Sequence, residues 1–131
     1  MSRVIEAIAV LNNKEQKVQG TVKFTEQDKG IKIEVNLKGL TPGLHGFHIH
    51  ETGNLLDKCS SCKGHFNPYG KNHGGPNDKE RHVGDLGNIV ANSKGIVNQV
   101  IYDSIIKLRG TKSNIIGRSV VIHQDEDNLG I

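Results

Sequence analysis

An antiparallel β-sandwich or flattened barrel, all-β, is the fold class this sequence predicts. Three observations carry that prediction. Apolar residues recur at every second position in several runs, turn-forming residues separate those runs, and no segment sustains a 3.6-residue period.

The elements follow in order. Val4 to Leu11 is the first strand candidate. In "VQGTVKF", Val18, Val22 and Phe24 alternate with Gln19, Thr21 and Lys23, and Gly20 takes an inward position. In "IKIEVNLKG", Ile31, Ile33, Val35 and Leu37 alternate with Lys32, Glu34, Asn36 and Lys38. Such alternation marks a strand with one wet face. "DKG" at Asp28 to Gly30 is the hairpin turn between these two runs. Leu44 to His50, Asp85 to Ala91, Ile96 to Tyr102 and Ile115 to His123 complete a set of seven strands, with "NSKG" at Asn92 to Gly95 as a further turn. From Glu51 to Gly84, 34 residues rich in Gly, Asn, Pro, Lys and His show no strand pattern. A structureless loop of that length in a compact domain is functional or disordered, and something other than apolar packing must order it.

Length and composition bound the rest. At 131 residues the chain makes one domain, residues 1–131. The apolar fraction is 34 %, with three phenylalanines and two tyrosines, so the core must rest on Ile, Val and Leu. The net charge is +3 and falls in no dense Lys/Arg block. Without such a block or stacking aromatics, nucleic acid is excluded as a partner. A modest positive field still attracts small anions. The N-terminal "MSRVIEAIAVL" is too short and too broken by Glu6 for a signal peptide, and no run is long enough to span a bilayer. The expected compartment is cytoplasmic, with no membrane partner. Cys59 and Cys62 alone do not make a disulfide framework.

The histidines are the chemical signal. His45, His48 and His50 fall within "GLHGFHIHETG". His48 and His50 are two apart on a strand, so both imidazoles project from one face, while Phe47 and Ile49 point into the core. Two parallel imidazoles on a rigid strand make a bidentate metal clamp. His123 ends "SVVIH" and is a third candidate ligand from a neighbouring strand. The loop adds His65, His73 and His82, and Asp85 follows three residues later. Three imidazoles and a carboxylate suit tetrahedral zinc; imidazoles alone suit copper as well. His45 lies an odd number of residues from His48, near a turn, and is expected to make structural hydrogen bonds. "CSSC" leaves open a Cys59–Cys62 disulfide or a metal site with His65.

The stretches "GLHGFHIHETG", "GHFNPYGKNHGGPNDKERHVGDLGN" and "IIGRSVVIHQDEDNLG" strongly resemble the copper/zinc superoxide dismutases, and the resemblance covers nearly the whole chain. It implies a Greek-key β-sandwich with a long metal-binding loop. It implies copper held by His48, His50, His65 and His123, and zinc held by His65, His73, His82 and Asp85. His65 would then touch both ions and carry the catalytic proton. Asp127 in "DEDNLG" would fix the rings of His48 and His73. The implied substrate is the superoxide anion, dismuted to dioxygen and hydrogen peroxide. A homodimer and a copper-loading chaperone are the implied partners. Lys63, Lys71 and Lys79 are candidates for guiding the anion.

The family pattern continues past "DNLGI", where this sequence stops. That continuation carries the electrostatic loop, the last strand, an arginine beside the copper, and a cysteine that pairs with the one matching Cys59. The expectation is a chain lacking its tail, against a naturally short protein with impaired catalysis. Cys59 is expected to be half of that disulfide and Cys62 a free thiol. The alternative functions are a metal-holding or chaperone-interacting relative without full turnover, and a zinc-stabilised structural domain with empty copper ligands.

Overall fold

The computed structural model describes residues 5–13, 18–28, 30–50, 65–108, 110, 113–123 and 127, and the backbone alone at residues 12 and 13. Seven strands are present among them: β1 (Glu6–Asn13), β2 (Val18–Gln27), β3 (Gly30–Lys38), β4 (Gly43–His50), β5 (Asp85–Ala91), β6 (Val97–Asp103) and β7 (Ser119–Ile122). Six of them sit where the alternating runs predict them, and the seventh is shorter than its run. No helix among the described residues is long and apolar enough to cross a membrane.

The strands form two unclosed antiparallel sheets, ordered β1-β2-β3-β6 and β5-β4-β7. The fold is thus a sandwich rather than a closed barrel. β6 returns to lie beside β3 after β4 and β5 have crossed to the second sheet, a Greek-key-type connection.

Alternation decides which face is buried. Val22 and Phe24 of β2 and Ile31, Ile33, Val35 and Leu37 of β3 are at most 3 % exposed. They meet Phe47 and Ile49 of β4, Leu86, Ile89 and Ala91 of β5, and Val97 of β6. Each such side chain contributes about 1.5–3 kcal/mol through its removal from water. Core packing therefore fixes the orientation of β4, and with it the imidazoles on its opposite face.

Two expectations need correcting. The last strand begins at Ser119, not Ile115. Before it the chain turns: Arg118 N donates to Ile115 O, Gly117 has φ of 81°, and Ile115 N pairs with Lys107 O. Moreover, the long loop is tied partly by apolar packing. Phe66 and Val83 both enter the core, and Phe66 N, Gly84 N and Ile49 N are hydrogen-bonded to Ile49 O, Phe66 O and Gly84 O respectively.

Candidate metal centre

Four segments converge on the outer face of β4. The pleat puts His48 and His50 on that face, yet they are only 2 % and 7 % exposed, because loop residues and Asp127 cover them. His123 follows β7, and its backbone N donates to Gly46 O at 2.8 Å. His65 forms an isolated antiparallel bridge with His50. Asp85 is brought opposite His48 by a register shift: Gly46 pairs with Asn88, but His48 pairs with Asp85. β5 thus carries one extra residue, and Gly87 at φ 84° takes the left-handed conformation there. A bulge of this kind re-aims a side chain next to a site.

The first group comprises His48, His50, His65 and His123, with one ligand atom from each lying within 4.8 Å of the others. The His48 and His65 rings stack with centroids 3.9 Å apart. Nε2 of His48 lies 3.1 Å from Asp127 Oδ1. A carboxylate only accepts, so Nε2 carries the proton and Nδ1 keeps a lone pair. That Nδ1 is buried without a hydrogen-bond partner. Burial, reinforced by the His65 and His123 charges against partial relief from Asp127 and Asp85, lowers the pKa of His48 to about 3. The ring is therefore neutral near pH 7, as a metal ligand must be.

The second group lies on the other side of His65. Asp85 is fully buried, with Oδ1 2.9 Å from His65 Nδ1 and 3.4 Å from His82 Nδ1. Its Oδ2 is 2.9 Å from His73 Nδ1 and accepts from Gly74 N (3.0 Å) and His82 N (2.8 Å). Nδ1 of His82 is 3.3 Å from Nδ1 of His65. Proximity alone groups His48, rather than His82, with His65, His73 and Asp85. His82 is the better fourth member, because Nε2 of His48 is engaged by Asp127 whereas Nδ1 of His82 shares Asp85 Oδ1 with His65.

Electrostatics tests whether a cation fits here. Nε2 of His73 lies 2.8 and 3.0 Å from the two Asp127 oxygens, so it carries a proton. Nδ1 of His73 then turns a lone pair toward Asp85 Oδ2 at 2.9 Å, and it makes no hydrogen bond. Two acceptors so close repel unless a positive charge stands between them. The pKa of His73 responds accordingly: burial would lower it, but the nearby Asp85 and Asp127 carboxylates outweigh burial and raise it. Burial would likewise raise Asp85, but hydrogen bonds from His65, Gly74 and His82 hold it well below the usual carboxylate range. Donors around zinc at about 2.0–2.1 Å stand roughly 3.3–3.4 Å apart on a tetrahedron. The separations of 2.9, 3.3 and 3.4 Å among His65 Nδ1, His82 Nδ1 and Asp85 Oδ1 come close to that spacing, and His73 Nδ1 approaches the other carboxylate oxygen, Oδ2, at 2.9 Å. A zinc ion therefore fits these residues.

Asp127 joins the two groups, accepting from Nε2 of His48 and Nε2 of His73. His45 is structural, as expected: Nδ1 lies 2.8 Å from His123 O and Nε2 lies 2.7 Å from Thr41 O. Lys71 and Lys79 are exposed, and Lys71 Nζ donates to Lys79 O at 3.1 Å. Cys59, Cys62 and Lys63 lie outside the described residues. Two features escaped the sequence reading. The Asn88 side chain clamps the Asp127 backbone, donating to its carbonyl (3.1 Å) and accepting from its N–H (2.6 Å). Arg81 and Asp103 form a buried ion pair at 2.8 Å. Asn88, Arg81 and Asp103 were visible only as isolated polar residues with no periodic signature.

With this geometry in place, similarity to known proteins can be weighed. A family model described as copper/zinc superoxide dismutase matches residues 18–131. A protein of Paramecium bursaria Chlorella virus 1 named "Superoxide dismutase (Cu-Zn)" is 53 % identical over 132 residues, covering 100 % of this chain and 68 % of its own length. "Extracellular superoxide dismutase (Cu-Zn)" of Brugia pahangi is 48 % identical over 130 residues, covering 99 % of this chain and 65 % of its own. This chain therefore spans about two thirds of the length of these relatives. Among solved structures, that of the clock protein EA4 superposes with a TM-score of 0.89 at 43 % identity, covering 95 % of this chain and 78 % of its own.

Proposed function

Because this chain belongs to the copper/zinc superoxide dismutase family, we propose that it dismutes superoxide, converting two superoxide anions and two protons into dioxygen and hydrogen peroxide. Family membership implies copper and zinc, and both histidine groups suit them. Copper supplies a one-electron redox couple and zinc supplies fixed charge and geometry.

The chain's own residues divide the work. His48, His50, His65 and His123 present ring nitrogens to copper, and His65, His73, His82 and Asp85 present the zinc donors. The observation that carries this reading is that His65 belongs to both groups. Nδ1 of His65 faces Asp85, which leaves its opposite ring nitrogen for the copper side. That nitrogen is the group to hold and release the proton that peroxide formation needs. The side chain is 22 % exposed, so water can resupply it. Asp127 holds the His48 and His73 rings with their Nδ1 atoms turned inward. The net charge of +3 favours approach of the anion. A purely metal-holding role is not favoured, since both donor groups are assembled.

The test measures copper and zinc content together with superoxide consumption on one sample of the parent and of His65→Ala. A group that transfers a proton typically contributes about 10²–10⁴-fold in rate. The variant is expected to lose at least the lower figure and to bind less of both metals. Parental metal content with parental turnover would remove the shared-ring assignment.

The same reading extends to partners. A homodimer is supported by Ile8 and Val10, 60 % and 75 % exposed on the outer face of edge strand β1, and by Ile116, 52 % exposed. Sedimentation at micromolar concentration tests it, and a single species of one-chain mass speaks against it. Copper delivery by a chaperone and a cytoplasmic location belong to this reading too. Absence of a copper-dependent complex in cell extracts counts against the chaperone.

A further inference from the structure

Among the described residues of the zinc-side loop, the charged side chain of Arg81 is buried, and one of its contacts reaches the backbone of His82. Arg81 is 2 % exposed and immediately precedes His82. Nε donates to His82 O (2.9 Å), Nη1 to Pro76 O (2.8 Å) and Asp103 Oδ1 (2.8 Å), and Nη2 to Val83 O (2.6 Å). Asp103, the last residue of β6, is 5 % exposed. Its other oxygen, Oδ2, accepts from the backbone N–H of Ile105 (3.0 Å) and Ile106 (2.9 Å). The guanidinium thus ties three loop carbonyls to a carboxylate that is itself locked to the frame.

The tied segment presents two zinc donors. His82 O, which Arg81 Nε holds, also accepts the backbone N–H of Asp85 at 3.0 Å. His82 N returns a bond to Asp85 Oδ2. Fixing one carbonyl therefore fixes the turn that sets Nδ1 of His82 against Asp85. Core packing holds the far side of this turn through Val83, and Gly84 is tied to β4. On the near side, from Asn67 to His82, the only buried residues are Gly74, Gly75 and Arg81, so the guanidinium is what fixes the approach to His82. A planar fork with five donors suits such a cluster of acceptors, and lysine's single nitrogen does not.

Resting on the zinc assignment above, we propose that Arg81, anchored on Asp103, is a positioning residue that holds the His82–Asp85 turn in its zinc-binding shape before the ion arrives and thereby sets zinc affinity. A ligand set formed in advance saves the ordering cost at the moment of binding. Groups that orient metal ligands typically contribute about 10–100-fold in affinity.

The experiment compares parent, Arg81→Lys and Asp103→Asn by competition for zinc against a chromophoric chelator. Copper affinity of the zinc-free protein serves as the internal reference. Zinc dissociation constants raised at least about tenfold in folded variants, with copper affinity within about threefold of the parent, fit the proposal. A folded variant with zinc affinity within threefold of the parent overturns it. Should Arg81→Lys fail to fold, Asp103→Asn and amide exchange in the zinc-free parent decide. Slow exchange at His82 N and Asp85 N is expected there, and exchange at the rate of an open loop contradicts the proposal. Asp85→Asn separates the two levels of argument. Parental zinc affinity in Asp85→Asn means the zinc site is misassigned. Lost affinity there with parental affinity in Arg81→Lys overturns the positioning role alone.

Discussion

Replacing Asp85 with Asn removes a charge and almost no volume, which makes it a clean probe of the zinc half. Asp85 Oδ2 accepts from two backbone N–H groups, of Gly74 and His82, and Oδ1 takes Nδ1 of His65. The asparagine oxygen can replace Oδ2, keeping both backbone donors satisfied, and its NH2 then faces Nδ1 of His65. The two backbone hydrogen bonds survive without a charge on the acceptor, and the His65 contact survives only with its direction reversed, the Asn NH2 donating to Nδ1. Charged hydrogen bonds contribute about 1.5–3 kcal/mol and neutral ones about 0.5–1.5 kcal/mol, so the zinc-free fold should lose roughly 2–4 kcal/mol. Zinc loses one of its four donors and the only anionic one. Since orienting groups alone cost up to about 100-fold, zinc affinity should fall by more than that. Urea unfolding of the zinc-free protein reads the first quantity and chelator competition the second. A zinc dissociation constant within tenfold of the parent would refute the assignment of Asp85 as a ligand, whatever the stability change.

Two further outcomes follow from the same geometry. A Cβ on Gly84 would stand 2.1 Å from Ile49 O, across the hydrogen bond that ties the loop to β4. Gly84→Ala should therefore cost about 2–4 kcal/mol through overpacking and a weakened bond, and an unchanged urea midpoint would contradict that close approach. In the metal-free protein, burial lowers His48 from 6.5 to about 3. Between those values the unfolded chain binds a proton at this ring and the native state does not, so His48 makes stability fall as pH falls through that window. His73 runs the other way: its pKa is raised, so its contribution is complete below 6.5 and is lost as pH rises through the raised value. His48→Gln should flatten the acid-side loss of stability measured by urea titration at several pH values, and an acid slope equal to that of the parent would contradict the buried neutral ring.

The strands were legible because burial imposes a period of two, and Val22, Phe24, Ile31 and Ile33 obey it without exception. The parity of His45, His48 and His50 also survived, because the pleat converts spacing directly into direction. The turn at Ile116–Gly117 was less legible: Ile115 and Ile116 extend an apolar run that only the left-handed Gly117 interrupts. Phe66 and Val83 looked like isolated apolar residues in a polar loop, since core contacts made across sequence leave no local pattern. The same reason hid Asn88 against Asp127 and Arg81 against Asp103. Their partners lie 39 and 22 residues away, beyond any periodicity. The resemblance carried the ligand roles; spacing alone left copper and zinc undivided.

Anomalous diffraction from metal-loaded crystals, recorded at the copper and zinc absorption edges, tests the central claim most directly. The expected maps hold one copper peak and one zinc peak on opposite sides of the His65 ring, each within bonding distance of one of its nitrogens. A ring at residue 65 that touches a single ion, or neither, would contradict the account.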